Sequence, residues 1–125
     1  MILKHKNGNP YPHQIDLNHN SEPITVYAVS DDNNNTPLNA TWYLASRDGR
    51  FSTFPGSLNA PAVNGQYACG VDPNDSTVVQ AASSPVVGTS VQFFPAPEQV
   101  NCPAVKCVLV AVFGGVQREL IISIS

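Results

Sequence analysis

Three cysteines, three histidines and two Asp/Asn-rich turns are the side chains of this sequence best suited to chemistry. Cys69, Cys102 and Cys107 allow three pairings, 69–107, 69–102 and 102–107, each of which leaves one thiol over. The 102–107 bridge would close the short loop CPAVKC, where Pro103 favours a turn. The 69–107 bridge would join two residues expected to face the core. It would also close a far longer loop, favoured by roughly 1 kcal/mol in chain entropy. In a reducing compartment all three thiols would instead be small buried hydrophobes. No Cys-x-x-Cys spacing occurs, so the thiols do not suggest a zinc site.

His5, His13 and His19 gather near the N-terminus around Asp16, but their spacing matches no closed metal pattern. They read as polar residues of an N-terminal arm and an edge strand. The turns DDNNN (31–35) and DPND (72–75) offer carboxylate and amide oxygens, which are calcium's preferred ligands. Asp31, Asp32, Asp72 and Asp75 are therefore candidate binding residues, although Asp and Asn are equally the residues that make tight turns. Neither stretch has the ordered twelve-residue spacing of a helix-loop-helix calcium loop, and no cofactor is implied beyond that cation. For catalysis the sequence has no nucleophile elbow and no phosphate-cradling glycine loop, so it does not read as an enzyme.

Elements to position these groups recur at short intervals. HQIDL (13–17), ITVYAVS (24–30), NATWYLA (39–45), RFSTF (50–54), GQYACGV (65–71), STVVQAA (76–82) and SVQFF (90–94) all alternate or are dense in β-branched and aromatic residues. VKCVLVAVF and VQRELIISIS flank Gly114-Gly115, which predicts a two-residue hairpin turn. That turn would set Phe113 opposite Val116, Leu109 opposite Leu120 and Cys107 opposite Ile122 on the better core face. Of the neighbours Trp42 and Tyr43, alternation sends one inward. Trp42 is taken for the core, leaving Tyr43 outside as a candidate binding residue. Tyr11, Tyr27, Phe93 and Phe94 are candidates for an aromatic patch that could stack on sugars or meet a protein, although core packing explains most of them equally well.

Composition narrows the class further. At 125 residues the chain suits one domain, 1–125, with residues 1–12 expected as an arm. Only 12% of residues are charged, while 11 Pro and 8 Gly punctuate a sequence that is 42% hydrophobic, a mix that suits short strands and many turns. Six Lys and Arg against a net charge of -3 leave no electrostatic footprint for nucleic acid. The apolar runs are far too short for a spanning helix, so membrane insertion is not expected. MILKHKNGNPYPH is not a signal-peptide pattern. A removed leader, or release without one as for a phage structural protein, would fit.

Four stretches carry a resemblance to bacterial immunoglobulin-like domains, the modules of invasin- and intimin-type adhesins and of phage tails and capsids. ITVYAVSDDNNNTPLNATWYLAS looks like their strand, Asp/Asn turn with Pro, and strand with a core aromatic. RDGRFS resembles the Asp-Gly corner that follows, NGQYACGV their Asn-Gly strand, and CVLVAVFGGVQRELIISIS their final Gly-centred hairpin. The PAPEQVNCPAVKC insertion and the cysteines depart from that pattern. The resemblance implies an all-β immunoglobulin-like sandwich of about 7–9 antiparallel strands. It also implies a structural or adhesive role on a cell surface or virion, outside the cell, with protein or glycan partners and scope for self-association.

Overall fold

The computed structural model describes residues 1–18, 21–46, 56–60, 85–95 and 105–124. Within them the alternating runs become β1 (Ile2–Lys4), β2 (Gln14–Leu17), β3 (Ile24–Val29), β4 (Ala40–Ser46), β5 (Gly56–Leu58), β6 (Val86–Gly88), β7 (Ser90–Pro95), β8 (Val105–Phe113) and β9 (Val116–Ile124). They assemble into two sheets, β1-β3-β7-β5 and β2-β9-β8-β4-β6. The chain is thus all-β, built as a sandwich. The expected strands RFSTF, GQYACGV and STVVQAA lie outside the described residues.

The core lies between the sheets, where each strand's inward alternate set meets its counterpart. Leu3, Val26, Ala28, Val91 and Phe93 come from the four-stranded sheet. Trp42, Leu44, Cys107, Leu109, Leu120, Ile122 and Ile124 come from the other, all of them buried. The hairpin register is the one that the Gly-Gly turn predicts, with Phe113↔Val116, Leu109↔Leu120 and Cys107↔Ile122. Gly114 (φ 55°) and Gly115 (φ 80°) both take the left-handed conformation that such a turn requires.

Two expectations need correction. Residues 1–12 are not an arm. β1 pairs with β3, Met1 and Leu3 are buried, and Tyr11 donates its backbone N–H to the Leu3 carbonyl at 2.9 Å. The apolar MIL run at the start outweighs the polar residues behind it, because burying it completes the edge of the core. Nor are all the pairings antiparallel, since β2 runs parallel to β9 from Gln14↔Ile121 to Leu17↔Ile124.

Among the connections that pass between the sheets, two are fastened by backbone hydrogen bonds near the ends of the chain and at the β6–β7 crossing. The first passes from β1 through Tyr11 to β2, where the His13 carbonyl accepts the Ile121 N–H at 3.1 Å. The second runs from β6, at the edge of the five-stranded sheet, directly into β7, inside the other. At that passage Gly88 pairs with Ala40 in one sheet while the next residue, Thr89, accepts the Ala28 N–H of the other at 3.0 Å. The fully buried Trp42 donates its indole N–H to the Gly88 carbonyl at 2.8 Å. One side chain thus fills the core and satisfies a backbone group at the crossing, where regular pairing changes sheets.

Candidate binding surfaces

Tyr43 sits on β4 with its side chain on the outer face of the five-stranded sheet, as alternation with the buried Trp42 predicts. It lies opposite Val110, while the adjacent Thr41 lies between Val112 on β8 and Val87 on β6. Val87 is 66% exposed. Further along this face Val108, Val110 and Ile121 are buried although they do not belong to the core cluster. Toward β2 the same face turns polar. Gln14 donates to Asp16 at 3.0 Å, and Gln117 donates to Glu119 at 3.1 Å. The outer face is therefore graded from aliphatic with one tyrosine to amide and carboxylate.

The acidic turn stands apart from Tyr43, in the connection between β3 and β4. Asp32 Oδ1 accepts the Ser30 hydroxyl at 2.7 Å and the backbone N–H groups of Asn34 and Asn35 at 3.0 and 3.2 Å. Ser30 Oγ in turn accepts the Thr36 N–H at 2.8 Å. These bonds hold the Asp32 carboxyl below the usual aspartate range, the Ser30 hydroxyl first among them. They are also the reason the sequence turns here. A short carboxylate that caps two following N–H groups lets Asn35 adopt φ 48°. Asp31 is exposed beside it. Asp72 and Asp75 lie outside the described residues, as do Cys69 and Cys102. Among the described residues, no three His, Cys, Asp or Glu side chains gather as metal ligands would.

Cys107 carries a free thiol in the core. Burial pushes that thiol up to about 12, which leaves it an inert hydrophobe at neutral pH.

The expected aromatic patch divides among three locations. Phe93 is fully buried, because it occupies an inward position of β7 between Ile24 and Leu58. Tyr11 is half-buried at the edge of the sandwich. Its hydroxyl donates to the Thr25 carbonyl at 2.8 Å, and its ring stacks on His5 at 3.6 Å between centroids. Burial raises its pKa. Tyr27 and Phe94 remain, half-buried on the outer face of the four-stranded sheet, with Thr25 and the exposed Gln92 between them.

A further feature escaped the sequence reading. An open cavity of about 250 Å³ lies where β1, the Tyr11–His13 chain and β9 meet, and its wall includes Leu3, Tyr11, Arg118, Glu119 and Leu120. Its residues stand more than a hundred positions apart, and no local pattern marks them. Comparison with models of protein families, with curated proteins and with solved structures finds no match for this chain.

Proposed function

We propose that this chain is a non-enzymatic immunoglobulin-like module of a bacterial cell surface or a phage virion, binding protein or glycan partners from a rigid sandwich. The observation that carries the reading is the strand order. One sheet runs β1-β3-β7-β5, and the other is built around the last hairpin with β4 beside it and a buried Trp42 on β4. That arrangement is consistent with an immunoglobulin-type division of strands between two sheets. The chemistry on offer is that of recognition. Among the described residues no three metal-ligating side chains gather, whereas aromatic and aliphatic groups are presented on the faces of a fixed scaffold.

A specific observation favours a second reading, glycan binding. Tyr27 and Phe94 share the outer face of the four-stranded sheet, with the hydroxyl of Thr25 and the amide of Gln92 between them. Ser90 faces Tyr27 across the sheet, and four residues along β7 from Ser90 to Phe94 span about 13 Å. That is room for a short oligosaccharide stacked at both ends and hydrogen-bonded in its middle.

Labelled protein on a glycan array and on intact bacterial cells tests both readings. Saturable binding lost in Tyr43→Ser supports a partner on the five-stranded face. Array binding lost in Tyr27→Ala supports glycan recognition. Absence of saturable binding to either target would sink the surface-module reading.

A further inference from the structure

The chain folds back on itself just after β1. Lys4 bridges Pro10, and the Tyr11 N–H returns to the Leu3 carbonyl. The tip between them is closed by two backbone bonds, from the Gly8 N–H to the His5 carbonyl at 2.9 Å and from the His5 N–H to the Asn9 carbonyl at 2.7 Å. Neither Lys6 nor Asn7 has a positive φ, whereas Gly8 takes 92°. This is a type I turn over residues 5–8 with Gly8 as the bulge residue, a common three-residue hairpin loop. Asn7 Oδ1 accepts the Asn9 N–H at 3.0 Å and caps the bend.

Two local demands, an amide side chain for the cap and a glycine for the positive φ, therefore meet in the dipeptide Asn7-Gly8. In an opened chain that dipeptide is chemically labile, because Gly8 has no Cβ to shield its nitrogen from the Asn7 amide. The Gly8 nitrogen attacks Asn7 Cγ, the new N–Cγ bond forms, and the Cγ–Nδ2 bond breaks. The Gly8 amide proton leaves with Nδ2 as ammonia. Water then opens the succinimide. Attack at Cγ gives aspartate, and attack at the Asn7 carbonyl carbon gives isoaspartate, whose main chain runs through Cβ and Cγ.

The closed turn withholds both participants, although residues 6–10 are exposed to solvent. The Gly8 N–H is committed to His5, and the Asn7 side chain is committed to Asn9. A type I turn also sets ψ of its third residue near about 0°, roughly 120° from the rotation that brings the next nitrogen up to Cγ. We propose that Asn7 is a deamidation site gated by this hairpin, reactive only when the turn opens. Aspartate at this position keeps the oxygen that caps Asn9. Isoaspartate instead adds one main-chain carbon, about 1.5 Å, inside a loop whose ends are fixed by the His5–Asn9 bond. The lengthened loop no longer closes, and it loosens Tyr11, which anchors the strap through its hydroxyl on Thr25 and its ring on His5.

The full chain, incubated at neutral pH either folded or unfolded in urea, tests this with tandem mass spectrometry at residue 7. Folded chain should convert Asn7 at least about tenfold more slowly than unfolded chain, and the slowing should match the hydrogen-exchange protection of the Gly8 amide. Tyr11→Leu removes the hydroxyl anchor and the ring stack, so it should speed conversion severalfold in the folded state and leave the rate in urea unchanged. The isoaspartate fraction, identified with a protein isoaspartate methyltransferase, should melt below the unaltered chain by circular dichroism, while Asn7→Asp should melt with it. Comparable rates in folded and unfolded chain overturn the proposal, as does an isoaspartate form that melts with the unaltered chain. Should Tyr11→Leu fail to fold, the unaltered chain still decides: slowing without Gly8 protection, or protection without slowing, overturns the gate.

Discussion

Trp42 offers the sharpest test of how the two sheets are joined. Trp42→Phe keeps an aromatic ring in the core but leaves the Gly88 carbonyl without its donor, a loss of about 1–3 kcal/mol. It also removes roughly 40 Å³ of side chain, which at ~24 cal/mol per Å³ adds about 1 kcal/mol. The sum, about 2–4 kcal/mol, corresponds to a fall in Tm of roughly 6–16 °C for a chain of this size. Trp42 is the one tryptophan in the sequence, so the variant must be followed by far-UV circular dichroism in urea rather than by fluorescence. Amide exchange then separates the two contributions. If the indole clamps the crossing, the Ala28 N–H, which donates to Thr89, should lose more protection than amides at the centre of the β8–β9 hairpin. A destabilisation below about 0.5 kcal/mol, or an equal loss of protection at both places, would refute the reasoning.

Three further outcomes are expected. Gly56→Ala should cost about 1–3 kcal/mol by calorimetry, since a Cβ there would lie 2.6 Å from the Phe94 carbonyl oxygen and run into the Phe93 ring. Cys107 should make stability fall at alkaline pH. Folding holds the thiol neutral and raises its pKa from 9.0 to about 12, so the contribution is complete below about 9 and is lost as pH climbs from there toward about 12. Urea midpoints at pH 8 and 10 should show the unaltered chain losing about 1.4 kcal/mol more than Cys107→Ala over that step, and equal losses would contradict it. For Asp32 the shift has the opposite sign: the folded pKa is lowered, so the turn's contribution is present at neutral pH and lost as pH falls through that lowered value. A carboxyl NMR titration should find Asp32 below the ordinary aspartate range, and Ser30→Ala should bring it back toward that range.

The sequence was most legible where local chemistry fixes geometry. Gly114-Gly115 forces a two-residue turn, and with a side-chain period of two the turn dictates every pair from Phe113↔Val116 to Cys107↔Ile122. The opposite orientations of Trp42 and Tyr43 follow from the same alternation. β1, β5 and β6 were missed because three residues are too few to display a period. Nothing in QIDL distinguishes a parallel partner from an antiparallel one, since that choice depends on how the chain arrives. Of the candidate site, Tyr43 was visible as an outward residue and the Asp32 turn as a turn. The cavity beside Arg118 was not visible, because it exists only once residues near 3, 11 and 118 are brought together by both sheets. Whether Phe93 or Phe94 faces the core was left open, because in FF both residues look alike and only the register with Ile24 decides which one is enclosed.

The parallel pairing of β2 with β9 has a mechanical meaning. The two strands lie side by side, one near each end of the chain, and point the same way. A pull on the N-terminal side of β2 and on the C-terminal side of β9 therefore acts along the strands and in opposite directions. The bonds between Gln14–Leu17 and Ile121–Ile124 are then loaded together, in shear, instead of peeling open one after another from a hairpin end. Tension applied across β2 and β9 meets a short clamp that must break as a unit.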